Sequence, residues 1–205
     1  MDIKLDLINN SIDANNSQIV IFQKNVYGDV ELPAVAWLAF PAGGKGSHHA
    51  FVYPSEVTVG ASDSAGHVMK PQRAKAGQRF HVELRHAAHV LLPAGPAAVD
   101  SQIDVLNQLH IGTIDAGIYR GGKLLALITS IPPGVKGTFK FQPTIWIGLV
   151  NCVQEGELMS PASVASANTE LSLLGVACAD IVMSGGGSGP GAVPVTFTLQ
   201  NVVKC

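Results

Sequence analysis

Apolar and polar positions alternate with a period of two along most of the chain. Ile3, Leu5 and Leu7 interleave with Asp2, Lys4 and Asp6. Successive side chains of a strand point to opposite faces, so this pattern predicts a half-buried first strand. Asn9-Asn10-Ser11 and Asn15-Asn16-Ser17 supply turn residues. The β-branched run Ile19-Val20-Ile21-Phe22 predicts a second strand. Residues 35–40 (VAWLAF) and 50–53 predict two more, split by Gly43-Gly44-Lys45-Gly46. Residues 56–59 follow Pro54, and residues 79–84 (RFHVEL) alternate again.

Gly121-Gly122 between two apolar runs is a two-residue hairpin signal, with residues 123–128 as the return strand. Pro132-Pro133-Gly134 ends that strand. Residues 138–141 and 144–153 predict two further strands. The second is almost wholly apolar, which suits a central strand covered on both faces. Ser160 followed by Pro161 resembles an N-cap and first helical position, giving a short helix or turn near residues 161–167. Strands near residues 169–174 and 179–183, a glycine-rich loop at residues 185–191, and a clean alternation over Val195-Thr196-Phe197-Thr198-Leu199 complete the chain.

The expected fold is therefore all-β: an antiparallel β-sandwich, jelly-roll or Greek-key like, of about ten to twelve strands with at most one short helix. No internal repeat of 20 to 50 residues is visible, and no Pro/Ser-rich linker divides the chain. Residues 1–205 are read as one sandwich domain.

Composition narrows the picture. Of 205 residues, 47% are hydrophobic and 14% charged, with 22 Gly and 12 Pro. This shortage of charge excludes a disordered, solvating chain and a long coiled coil. A net charge of −2 leaves no electrostatic footprint for nucleic acid. No apolar run approaches a membrane span, and the opening residues carry no recognisable signal peptide. The expected location is cytoplasmic, or secreted without a classical signal. Three cysteines, Cys152, Cys178 and Cys205, argue against a disulfide framework.

Six of the seven histidines lie between residues 48 and 89. A strand over residues 81–85 puts His81 and Glu83 on one face, and a turn at Arg85-His86 would bring His89 toward them. Two histidines and a carboxylate suit zinc or non-haem iron, so His81, Glu83, His86 and His89 are the candidate metal ligands. The bland alternative is surface imidazoles on loops and strand edges. Lys70, Arg73, Lys75, Arg79 and Arg85 crowd the same region. Arg73, Arg79 and Arg85 are candidate contacts for a phosphate, a sulfated sugar or a protein carboxylate. Tyr27 and Tyr53, beside turn residues, are the candidate exposed aromatics for a carbohydrate.

Other motifs fall short. The loop at residues 185–191 lacks a following Lys-Ser or Lys-Thr and is no P-loop. No G-x-S-x-G pentapeptide exists. Cys152 follows Asn151 in an apolar strand, and Glu155 and Glu157 flank Gly156 at a strand end, where solvated carboxylates outweigh a glycosidase pair.

Residues 19–25 (IVIFQKN), 35–40 (VAWLAF), 112–120 (GTIDAGIYR), 144–159 (TIWIGLVNCVQEGELM) and 168–174 (NTELSLL) resemble the RhiA-type proteins. That bacterial family is named for rhizosphere expression under quorum-sensing control. The resemblance implies a small bacterial protein made at high cell density. It carries no catalytic residue onto this chain. The expected function is a non-enzymatic module that binds a glycan or protein partner, or assembles with itself as a homo-oligomer, without a cofactor. The alternative is a metal-dependent enzyme around residues 81–89. A membrane-active sandwich is a third reading, without the exposed aromatics or insertion hairpin it needs.

Overall fold

A computed structural model describes residues 2–13, 17–28 and 33–205. The second asparagine turn, at Asn15-Asn16-Ser17, falls largely outside them. In chain order the strands begin with β1 (Ile3–Asn9), β2 (Gln18–Phe22), β3 (Leu38–Pro41) and β4 (His48–Tyr53). Next come β5 (Val57–Asp63), β6 (Gln72–Ala74), β7 (Gln78–Arg85) and β8 (Ala88–Pro96). Then follow β9 (Ile103–Asn107), β10 (Ile114–Arg120), β11 (Lys123–Ile131) and β12 (Lys136–Phe139). The last are β13 (Thr144–Val150), β14 (Thr169–Ser172), β15 (Val176–Gly186) and β16 (Val193–Lys204), with helix α1 (Pro161–Ser166) between β13 and β14.

The class is all-β, with strand over 57% of the chain and helix over 4%. The single antiparallel sandwich of ten to twelve strands is corrected. Among the described residues there are four four-stranded sheets, and two of them contain a parallel pair. The chain divides into two compact units. The first comprises Met1–Gln23, Val35–Ser55 and Pro143–Cys205, and the second Lys24–Ala34 and Glu56–Gln142. Periodicity tells which face of a strand is buried, but it does not name the neighbour or its direction.

In the first unit the sheets run β16-β15-β1-β4 and β14-β13-β2-β3. Alternation places Ile3, Leu5 and Leu7 inside, beside Ala179, Ile181 and Met183 of β15. Phe40 of β3 lies 5.8 Å from Phe51 of β4, so the two sheets share an apolar interior. Trp37 stands edge-on to Phe51 and Tyr53 at 6.2 and 5.7 Å. Ile19, Val20, Ile21 and Phe22 are all fully buried, so β2 is covered on both faces.

The outer cover is helix α1. Ser160 caps it by accepting from the Ser163 N–H at 3.1 Å, with Pro161 in the first turn, as the sequence predicts. The helix end lies so close to β13 that a Cβ at Gly148 would sit 2.2 Å from the Ala167 Cα.

The second unit orders its sheets β11-β10-β5-β6 and β12-β9-β7-β8. The predicted Gly121-Gly122 hairpin forms, both glycines at positive φ, as a type I′ turn requires. Val59, Ala61, Ile114 and Ile118 from one sheet and Phe80, Val82, Val105 and Phe139 from the other build the core.

The two units have the same internal topology. Replacing β1–β4 by β9–β12, and β13–β16 by β5–β8, converts the sheets of the first unit into those of the second, parallel pairs included. The chain is thus a tandem repeat of eight strands, and each unit takes four strands from each copy. The period is roughly one hundred residues, well beyond the range of solenoid repeats.

Details agree. Leu5-Asp6-Leu7-Ile8-Asn9 matches Ile103-Asp104-Val105-Leu106-Asn107. Asn9 Oδ1 accepts from the Ser11 N–H at 2.8 Å, and Asn107 Oδ1 from the Leu109 N–H at 3.0 Å. Gly46 N–H donates to the Asn9 carbonyl and Gly134 N–H to that of Asn107. Gly77 and Gly175, both at positive φ, occupy the same turn in the two copies. Gly60 and Gly148 also correspond.

The copies differ at one buried carboxylate. Asp104 is satisfied by Lys136 Nζ and Thr138 Oγ1, each at 2.8 Å. Its counterpart Asp6 pairs with His48 at 2.9 Å, but Ala50 replaces Thr138 and Asp6 Oδ1 has no hydrogen-bond partner among the described residues. Ala50→Thr is therefore expected to raise stability by about 1 kcal/mol in chemical denaturation, the typical worth of a restored hydrogen bond.

The paired glycines generate a second expectation. Gly148→Ala meets helix backbone and should cost about 3 kcal/mol or more. Gly60→Ala meets only the Tyr119 ring edge, at 2.9 Å, and should cost about 1 kcal/mol. Unfolding midpoints of the two variants compare these directly.

Candidate functional site

The best-built polar cluster lies at one end of the second unit, where β5 runs out into a turn. Alternation along Val57, Val59, Ala61 and Asp63 points the last side chain inward. Asp63 is a carboxylate with 7% side-chain exposure. An Asx turn forms because Ser64-Ala65-Gly66 follows it. Asp63 Oδ1 accepts from the N–H groups of Ala65 and His67, both at 3.0 Å. Asp63 Oδ2 lies 2.8 Å from His89 Nδ1 and 3.1 Å from His67 Nδ1. The His89 hydrogen bond, then the His67 N–H, hold the carboxyl far below its usual range, and burial opposes them. An ionised carboxylate only accepts, so His89 carries its proton on Nδ1 and keeps Nε2 for another partner.

His89 reaches this position through the β7–β8 hairpin. Its two turn residues are His86 and Ala87, at φ 47° and 65°. Arg85 pairs with Ala88, so Leu84 faces His89 while Glu83 faces Val90. His89 therefore shares the inner face with Phe80 and Val82. His81 and Glu83 point the other way.

This register separates the four expected metal ligands. A two-residue turn, here at His86-Ala87, always sets an odd-numbered residue opposite an even-numbered one, so His89 faces Leu84 and lies on the face opposite to His81 and Glu83. His81 Nε2 lies 3.1 Å from Glu83 Oε2, and Glu83 also binds Arg85. Arg85 holds the Glu83 carboxyl below its usual range, burial opposes, and His81 adds to the lowering. His86 is exposed at the turn. Among the described residues no group of three or more His, Cys, Asp or Glu side chains is placed to hold a metal ion.

A cleft of about 920 Å³ opens beside His89. Leu84, His110, Ile111 and Gly134 contribute to its walls, with Glu83 and Gln108. Asn107 shapes it. Its side chain donates to the Gly112 and Ile131 carbonyls at 3.0 and 2.9 Å and so ties the β9–β10 loop to the β11–β12 turn. Large apolar side chains stand exposed at this end: Ile111 at 86%, Val68 at 79% and Leu84 at 60%.

The remaining candidates separate. Tyr53 is a core residue, donating to Gln23 Oε1 at 3.1 Å, so its expected exposure is corrected. Burial follows from its place on the inner face of β4, opposite Ile3. Tyr27 is 41% exposed. Arg73 lies on β6, in the sheet opposite to Arg79 and Arg85. The latter two are six strand residues apart, about 20 Å. Arg85 is committed to Glu83.

Sequence reasoning missed Asp63. Its signal was the Asp-Ser-Ala-Gly-His turn closing an alternating strand, legible as an Asx turn but not as a histidine anchor. The chain matches no family model, no curated protein and no solved structure.

The folded-state carboxyl of Asp63 titrates below its unfolded value. Its stabilisation is thus complete above the ordinary carboxylate range and is lost as pH falls through that range toward the lowered value. Asp63→Asn is expected to lower the thermal midpoint at neutral pH. The gap to the parent protein should close as the solution is acidified, which midpoints measured in a pH series will show.

Proposed function

We propose that this chain is a non-enzymatic binding protein whose binding face is the loop end of the second unit, and that its partner is a polypeptide. One observation carries the reading. The two units share a scaffold, and the histidine–carboxylate cluster beside the cleft exists in only one of them. Asp63 corresponds to Asn151 of the first unit, and no histidine lies anywhere in residues 143–205, which supply the counterparts of β5–β8. What both copies keep builds the sandwich. What one copy adds is free to serve a site.

The chemistry favours a protein segment over a sugar. Exposed Ile111, Val68 and Leu84 form apolar ground of the kind that marks protein contacts. Among the described residues no phenylalanine, tyrosine or tryptophan lines the cleft to stack on a pyranose. His110, Gln108 and the free Nε2 of His89 offer directional hydrogen bonds within that ground. Loops at one end of a β-sandwich, held by a rigid scaffold, are a recurrent place for such a face. The resemblance to RhiA-type proteins suits a binding role linked to cell density and adds no residue to the site. A metal-dependent enzyme has no support in the placement of His81, Glu83, His86 and His89.

Selection of a random peptide library on the intact protein tests the reading. Peptides with apolar residues should be enriched. Their binding should weaken at least about tenfold, or roughly 1.4 kcal/mol, in a Leu84→Ser, Ile111→Ser variant. Enriched peptides that bind this variant unchanged would overturn the assignment, as would a failure to select any peptide alongside clear binding on a glycan array.

A further inference from the structure

Among the described residues the four sheets have eight edges, and seven are blunted in ways that discourage pairing with another chain. Strands β3, β6, β12 and β14 span four residues or fewer. Strand β4 spans six and opens with two histidines. Strand β11 breaks register with β10 at two bulges. Strand β8, the counterpart of β16, carries Pro93 and Pro96. Strand β16 has none of these defences over its middle. It spans 12 residues, and its register with β15 is regular from Thr196 to Gln200. That stretch, Thr196-Phe197-Thr198-Leu199-Gln200, has no charge, no proline and no glycine. Its far side pairs with no other strand among the described residues.

We infer that the β16 edge is a self-association surface, and that two copies of this chain pair there antiparallel about a two-fold axis through Thr198. The pattern of the stretch is palindromic. Polar Thr196, Thr198 and Gln200 are exposed on one face, and Phe197 and Leu199 turn to the other, Phe197 being buried. A two-fold at Thr198 sets Thr198 opposite its own copy and Thr196 opposite Gln200. On the inner face it sets Phe197 opposite Leu199. Polar meets polar and apolar meets apolar in this register, and Thr198 is the axis that pairs all five residues of the stretch with one another, whereas a slip of one residue reverses every side chain. Thr–Thr and aromatic–aliphatic cross-strand pairs are favourable. Each copy presents the same patch, as a closed dimer requires. The four-stranded sheets β16-β15-β1-β4 of the two copies then join into one of eight strands. The inward packing of Phe197 and Leu199 continues across the axis, and the backbone groups of the edge find partners. This surface lies in the first unit and is independent of the binding face proposed above.

Light scattering coupled to size exclusion, over a wide concentration range on the full chain, reads the outcome. The parent should show a dimer. Thr198→Lys places two like charges opposite each other at the axis and should weaken dimerisation at least about tenfold. Its circular dichroism should match the parent, because Thr198 is exposed in the single chain, and its melting midpoint should match that of the parent at concentrations where the parent is monomeric. Register is read separately in a background with Cys152, Cys178 and Cys205 changed to Ser. There Thr198→Cys should form a disulfide-linked dimer on mild oxidation, and Thr196→Cys should not. A parent that stays monomeric throughout would overturn the inference. So would a dimer that ignores Thr198→Lys and links no better through Thr198→Cys than through Thr196→Cys.

Discussion

Everything in this molecule rests on one kind of strand pairing. The opening strand of each eight-strand copy, β1 or β9, lies parallel to a strand of the other copy, β15 or β7. Parallel neighbours cannot be joined by a tight turn, so this pairing needs long connections, and here it is satisfied between copies. Once it forms, the strand on each side is determined, and the asparagine at the end of β1 or β9 closes the corner. Asn9 and Asn107 are both nearly inaccessible, and each gives its amide to two loop carbonyls and takes a backbone N–H. A buried amide with its capacity filled is worth keeping, because an unfilled one is costly.

Duplication also sorts the residues by role. Glycines at matching positions are kept for backbone reasons. Gly77 and Gly175 supply a left-handed residue to equivalent turns, and Gly60 and Gly148 leave room for a neighbour above the sheet. That neighbour differs: the Tyr119 ring in one unit, the end of α1 in the other. The scaffold accepts different covers over the same gap, and it accepts different ornaments at its loop ends. The Asp63, His67 and His89 cluster is such an ornament. It is anchored by an Asx turn on one strand and by a hairpin that holds His86 and Ala87 in the left-handed region. Backbone of that kind is uncommon for residues other than glycine and is tolerated where the surroundings enforce it.

The site was only partly legible beforehand. His89 stood out in a crowded stretch, but its partner was chosen wrongly. Glu83 is six positions away in sequence and on the opposite face, whereas Asp63 is distant in sequence and adjacent in space. The turn decided it, and neither turn residue of that hairpin is a glycine or an asparagine to announce it. Tyr53 misled in the same way, since a tyrosine near Pro54 reads as a surface ring until β4 is seen to lie against β1.

Local chemistry alone determined that the chain is all-β, where most strands lie, the Gly121-Gly122 hairpin and the Ser160-capped helix. Each follows from side-chain periodicity or from backbone preference within a few residues. Tertiary structure alone decided that there are four sheets, that two pairs of strands run parallel, and that each unit draws on both copies of a repeat. It also decided which carboxylate meets which imidazole. Those outcomes depend on contacts between residues far apart in the chain. Alternation specifies that a face must be buried, but any apolar face will bury it, and only the packed whole selects one.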